Sequence, residues 1–295
     1  MSHVLVVAAP DADGYRDALG VLGRKIGDWG AVPPRVLAPW EACEWDIPAP
    51  PSDARDILDS WMNDVEADWA LLPADNRRKK LLIADMDSTI IGCECLDELA
   101  DFAGLKAEIS AITERAMRGD LNFEAALTER VAMLKGLKLD ALQKCYDARV
   151  ALNPGARTLV RTMAANGARC VLVSGGFTFF TSRVADAAGF ATHRANELGI
   201  EDGKLSGTVG EPILGREAKL QALIALAHEG GIDIKETVAI GDGANDLGMI
   251  AAAGLGIAYR AKPIVAEAAH ARLDHSDLSA ALYLQGFRET ELVLD

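Results

Sequence analysis

Three times along the chain an apolar run ends abruptly in polar residues. "KLLIADMDS" runs into Asp85 and Asp87, "ARCVLVSGG" into Ser174, Gly175 and Gly176, and "ETVAIGDGAND" into Asp242 and Asp246. A continuous apolar run of this length reads as a strand covered on both faces, the pattern of a central parallel strand. "GLGIAY", residues 254–259, is a candidate fourth strand, and helical patterns over 155–166, 178–188 and 216–229 lie between the runs. Strands alternating with helices predict an α/β fold built on a doubly wound parallel sheet. Ligands of such sheets bind outside the carboxyl ends of the strands. The polar clusters are therefore expected to meet at one sheet edge.

The rest of the chain hangs on this Rossmann-like frame. Residues 105–150 are a polar, helix-favouring insertion with candidate helices over 106–118, 122–135 and 139–149, too long for a plain crossover and expected to form a helical cap. Residues 1–78 read as a small N-terminal α/β domain: a strand in "HVLVVAA", a helix through Tyr15, Leu19, Leu22 and Ile26, a strand in "RVLA" and a helix over 54–63. Residues 79–295 are then the second domain.

The net charge of −14 argues against a nucleic-acid partner, since such binding depends on Lys and Arg neutralising phosphates. A small anionic substrate stays open, because a local metal and lysine can reverse the field inside one pocket. No apolar stretch reaches the roughly 20 residues that span a bilayer, and the N-terminal run is short for a signal segment. The expectation is a soluble, cytoplasmic protein with no membrane partner. The five cysteines are irregularly spaced and give no disulfide framework. Cys93 and Cys95 are candidate soft metal ligands, but no histidine cluster or second cysteine pair completes a set, and ordinary reduced thiols are the better reading.

The strand-end residues suit phosphoryl transfer. Residues two apart in an extended chain point the same way, so Asp85 and Asp87 reach one pocket. Unpaired carboxylates at the end of a buried run are costly, and a metal ion is the natural compensation. Asp85, Asp242 and Asp246 make an oxygen-rich set suited to magnesium; alone, Asp246 reads equally as a helix cap. Ser174 with Gly175 offers a hydroxyl and main-chain amides to an oxyanion, or is a plain turn. Lys219 reads as a second phosphate partner or as a solvated helix residue. Glu94 reads as a favourable charge at a helix start and Arg130 as a solvated helix residue, unless both belong to a substrate site.

Taken in order, "DMDST", "SGG", Lys219 and "GDGAND" resemble the four motifs of the haloacid dehalogenase-like superfamily over about residues 81–285. "DMDSTIIGCECLDELA" is further similar to the phosphoserine phosphatase family within it. That resemblance implies magnesium-dependent hydrolysis of O-phosphoserine, the last step of serine biosynthesis, through an aspartyl-phosphate. It makes Asp85 the nucleophile and Asp87 the acid and base. It places magnesium on Asp85, the carbonyl of Asp87 and Asp242, with Asp246 in support. Phosphate falls to Ser174, Gly175, Lys219 and Asn245. The amino-acid end falls to Glu94 for the ammonium and Arg130 for the carboxylate, with Met117 and Phe123 as apolar cap residues. It also makes the N-terminal unit a candidate ACT-like regulatory module and a candidate surface for pairing two copies.

Overall fold

The computed structural model describes residues 2–117 and 120–294; the side chains of Ala116 and Met117 lie outside the described part. The N-terminal unit runs β1 (His3–Ala8), α1 (Ala12–Lys25), β2 (Arg35–Ala38), β3 (Ala42–Ile47), α2 (Ala54–Met62) and β4 (Asp68–Pro73). Its strands form an antiparallel sheet in the order β2-β3-β1-β4. The Asp11 carboxylate caps α1 by accepting from the amides of Asp13 and Gly14. Alternation along β1 sends Leu5 and Val7 to a core with Tyr15, Leu22 and Leu58 of the two helices. Val4, Val6 and Ala8 take the other face.

The second part begins with β5 (Leu81–Ala84) and continues through α3 (Cys95–Phe102), α4 (Lys106–Met117), α5 (Phe123–Met133), α6 (Leu139–Arg149) and α7 (Ala156–Ala165). Next come β6 (Arg169–Phe177), α8 (Thr178–Ala188), β7 (Thr192–Asn196), β8 (Leu198–Glu201), β9 (Lys204–Val209) and α9 (Arg216–Glu229). It ends with β10 (Thr237–Gly241), α10 (Leu247–Ala252), β11 (Leu255–Tyr259), α11 (Pro263–Ala268), β12 (Ala271–Leu273) and α12 (Ala280–Leu284). The main sheet has six strands in the order β12-β11-β10-β5-β6-β7, every pairing parallel. Leu81, Leu82, Ile83 and Ala84 are all buried because helices cover both faces. β5 is flanked by β10 and β6, so the three polar strand ends are neighbours.

The chain leaves and re-enters the sheet layer through two segments that run side by side. Ile91 bridges Leu152 in antiparallel fashion, and the Asn153 amide donates to the Ile90 carbonyl at 2.8 Å. Helices α4, α5 and α6 lie beyond this neck. The Asn122 side chain starts α5 by accepting from the Ala125 amide. The antiparallel hairpin β8–β9, which the sequence pattern did not reveal, supports the cap from the other side. It meets α5, and the Leu205 amide donates to Leu137 at 2.9 Å.

The N-terminal sheet is not a loosely tethered module. Its second face shares one apolar core with Ala281, Leu282, Tyr283 and Leu284 of α12. Buried Asp68 accepts from the amides of Asp274, His275 and Ser276 at 2.7–3.2 Å. Arg77, in the connecting segment, pairs with Glu44 at 2.5 Å and donates to the carbonyls of Tyr283 and Leu284. Arg77 thus ties the N-terminal sheet to α12.

Candidate active site

Asp85 follows the last residue of β5, and its amide donates to the Ile240 carbonyl of β10 at 2.9 Å. Met86 turns into the core, while Asp87 lines the same cavity as Asp85. Ser88 then takes a left-handed conformation, φ 56°, which turns the chain away from the sheet edge. Gly241, at the end of β10, lets Asp246 pack against the strand: a side chain there would overlap the Asp246 carboxylate.

Lys219, in the first turn of α9, is wholly buried, the opposite of a solvated lysine. Its Nζ lies 2.7 Å from Asp85 Oδ1 and 2.7 Å from Asp246 Oδ1. Asp246 Oδ2 accepts from the Gly243 amide at 3.1 Å, so both of its oxygens are engaged. Asp85 Oδ1 also accepts from the Met86 amide at 2.7 Å, while Oδ2 accepts no hydrogen bond among the described residues. Oxygens of Asp85, Asp242 and Asp246 lie within 4.8 Å of one another. An all-carboxylate cluster suits a hard divalent cation, and Asp242 is oriented by the Thr89 hydroxyl at 3.3 Å.

Asp87 is held at both oxygens. The Cys95 amide donates to Oδ1 at 2.8 Å and the Ser174 hydroxyl to Oδ2 at 3.1 Å. The Gly176 amide donates to Ser174 Oγ at 2.8 Å. A Cβ at Gly176 would lie 3.0 Å from Asp87 Oδ2, so only glycine leaves this contact unstrained.

These groups open into a cavity of about 500 Å³ between the sheet edge and the cap. Asp85, Asp87, Ser174, Gly175, Asn245 and Asp242 lie on its walls, as do Glu94, Phe123 and Arg130. Lys219 and Asp246 stand behind the wall, reaching the cavity through Asp85. Met117 closes α4, and its side chain lies outside the described part. Phe123 sits over Gly175, where an added Cβ would lie 3.1 Å from its ring. Glu94 precedes α3 and accepts from the Ser88 hydroxyl at 2.6 Å. Arg130 comes from α5 and donates from Nε to the Ala126 carbonyl at 3.3 Å.

Two further charges line the cavity that the sequence reading did not select, Asp97 and Lys262. Asp97 lies one helical turn beyond Glu94, the spacing that puts residues on one helix face. Lys262 follows β11, so the strand-end argument extended to the fourth strand would have found it.

Burial pushes the Asp85 carboxyl up, the Asp246 charge adds to this, and Lys219 opposes it. Burial also raises Asp87 against the hydrogen bonds from Cys95 and Ser174. Burial alone would favour neutral Lys219, but the Asp85 and Asp246 charges outweigh it and raise the lysine, which stays charged. Glu94 opens onto the cavity, yet the protein around it displaces enough water to push its carboxyl up to about 7, with the Asp87 charge adding to the effect. Burial lowers Arg130, and Asp97 and Glu94 oppose the shift.

A carboxylate pair, a buried lysine and a hydroxyl thus meet at adjacent parallel strand ends, beneath a helical cap. The chain belongs to the haloacid dehalogenase-like hydrolase family, whose model matches residues 82–251. Among its relatives are phosphoserine phosphatases. That of Polaromonas sp. is 45% identical over 210 residues, covering 70% of this chain and 89% of the relative. That of Streptomyces coelicolor is 44% identical over 216 residues, covering 73% of this chain. The match takes in 52% of that relative, so the chain spans about half its length. A solved haloacid dehalogenase family hydrolase from Salmonella enterica serovar Typhi superposes with a TM-score of 0.86 at 30% identity. It covers 96% of this chain and 98% of its own, the N-terminal unit included.

Proposed function

We propose that this chain is a magnesium-dependent phosphoserine phosphatase that works through an aspartyl-phosphate on Asp85. The observation that carries the reading is a cavity with two chemically distinct ends. Around Asp85 and Ser174 it offers a hydroxyl, main-chain amides and an acidic cluster backed by a lysine. Along the wall at Glu94 and Arg130 it offers a guanidinium and the carboxylates of Glu94 and Asp97, groups that can meet the carboxylate and the ammonium of an amino acid.

The cation would be held by the Asp85 and Asp242 carboxylates and the Asp87 main-chain carbonyl, with Asp246 left to Lys219. When bound, it supplies positive charge that offsets repulsion between the phosphate and Asp85. Asp85 Oδ2, the oxygen not held by Met86 and Lys219, attacks phosphorus. Lys219 stabilises charge on the transferring group through its grip on Asp85. Ser174 and the Gly175 amide orient the phosphate. Asp87, raised by burial, donates its proton to the departing serine oxygen. It then takes a proton from the water that attacks the phosphorus and frees Asp85. The cap excludes bulk water during the first step and admits water for the second.

The product is free serine, which places the reaction at the end of a route that makes this amino acid. Among the described residues no helix is long and apolar enough to cross a membrane. The deciding experiment is phosphate release from O-phosphoserine with magnesium and with chelator. Asp85→Asn should fold normally and release none. Turnover by folded Asp85→Asn, or turnover in excess chelator, would remove the mechanism.

A further inference from the structure

The proposed reaction leaves unused one pair of nucleophilic side chains beside the site. Cys93 and Cys95 flank Glu94, whose backbone is extended at φ −94° and ψ 106°. Side chains on either side of an extended residue point the same way, so the two thiols lie on one side of the chain. Both are free thiols; Cys95 is buried and Cys93 is partly exposed. Cys93 Sγ lies 3.6 Å from the Arg149 carbonyl oxygen at the end of α6.

The main chain around this pair holds the catalytic groups. The Ser88 amide donates to the Cys93 carbonyl at 3.2 Å, and the Cys95 amide supports Asp87 Oδ1 at 2.8 Å. The neck between cap and sheet passes here as well, with the Gly92 amide donating to Ala151 at 3.3 Å. Drawing the sulfurs to a bonding distance of about 2.05 Å must move Glu94 and the amide that holds Asp87.

We propose that Cys93 and Cys95 form an oxidation site at which a peroxide closes a disulfide and disengages Asp87 and Glu94. The Cys93 sulfur, as thiolate, attacks one peroxide oxygen; the O–O bond breaks, and the departing hydroxide takes up a proton to leave as water. The product is a sulfenic acid on Cys93. Cys95 Sγ then attacks Cys93 Sγ, the S–S bond forms, and the sulfenic oxygen leaves as a second water. Two thiols and one peroxide become one disulfide and two waters, two electrons passing from sulfur to oxygen. The acidic neighbours Asp87, Glu94 and Glu98 select a small neutral peroxide over an anionic disulfide oxidant. A thiol reductant reverses the modification by exchange.

The test uses the reduced full-length chain and hydrogen peroxide. Non-reducing peptide mapping is run beside initial rates with a nitrophenyl phosphate, an ester that makes no demand on the phosphoserine assignment. Expected are a Cys93–Cys95 link, a rate at least tenfold lower in the linked fraction, and recovery with dithiothreitol. Cys93→Ser should match the untreated wild type and keep its rate under the same peroxide dose. Four results would each overturn the proposal: no link, a link from Cys93 to nearby Cys145, a Cys93–Cys95 link with an unchanged rate, or equal inactivation of Cys93→Ser.

Discussion

Replacing Arg130 by alanine separates reading of the amino-acid end from reading of the phosphate. Arg130 lines the cavity from α5, and among the described residues it forms no ion pair; only its Nε is engaged, by the Ala126 carbonyl. Alanine therefore strands no paired carboxylate, and the fold should keep its melting temperature. With phosphoserine bound, the substrate carboxylate loses a charge-assisted, bidentate partner. Truncating one partner of a buried charge pair costs about 2–5 kcal/mol. Arg130 is only partly buried in the open cavity, which favours the lower part of that range. About 2–3 kcal/mol corresponds to roughly 30- to 140-fold in kcat/KM at tenfold per 1.4 kcal/mol. A simple alkyl phosphate has no carboxylate to lose and should fall by no more than a few-fold. Arg130→Lys keeps the charge but not the planar fork, and should lie between wild type and Arg130→Ala for phosphoserine alone. The assay is kcat/KM for both esters in all three proteins. A common factor for both substrates would assign Arg130 to the cap's architecture and refute the two-ended reading.

Three further outcomes follow from the same geometry. Asp87→Asn should cost roughly 10²–10⁴-fold on phosphoserine; with a nitrophenyl ester, whose leaving group needs little protonation, rapid-quench kinetics should show a burst and trapped phosphoenzyme, and a loss without trapping would contradict the double role. Lys219→Met leaves Asp85 and Asp246 buried without their cation, which should cost about 3–5 kcal/mol of stability; denaturant titration should show that loss, with partial recovery in the Lys219→Met/Asp246→Asn double variant, and an unchanged midpoint would refute the pairing. Glu94 must be ionised to accept an ammonium group and its carboxyl sits at about 7, so the phosphoserine to alkyl phosphate ratio of kcat/KM should be level above pH 7 and fall about tenfold per unit below it; division cancels the phosphate's own titration, Glu94→Gln should flatten the profile, and a flat wild-type ratio would remove Glu94 from ammonium recognition.

What the sequence revealed and what it concealed divide along a physical line. The strands of the main sheet that lead into the site, β5, β6 and β10, carry apolar runs at 81–84, 170–173 and 238–240 because helices cover both faces, and that leaves a clear trace. Their polar ends were legible for the same reason, since charge directly after a buried strand demands an explanation. β3 left no such trace. "ACEWDI" places Glu44 in a buried position, made tolerable by Arg35 at 2.8 Å and by Arg77 from the distant connector. β9, "KLSGTV", is polar and interrupted by glycine, and it becomes a strand by pairing with β8 against the cap. Three-residue β12 is too short to show a period.

The same division runs through the site. Asp85, Asp87 and Asp242 announce themselves by local context, whereas Lys219 does not. Its neighbours in "GREAKLQAL" are those of an exposed helix, and the features that bury it, Asp85 and Asp246, lie just after β5 and beyond β10. A buried lysine is intelligible only once both carboxylates are placed, because either one alone leaves an unbalanced charge in a dry site. Its role therefore became readable only from the ordered set of four motifs. Asp97 went unread because its helical context is ordinary and only the folded cavity wall reveals it, and Lys262 because the strand-end argument was not carried to the fourth strand. In this chain local composition reports which strands are buried, and charge balance across the sheet edge decides which polar residues come together there.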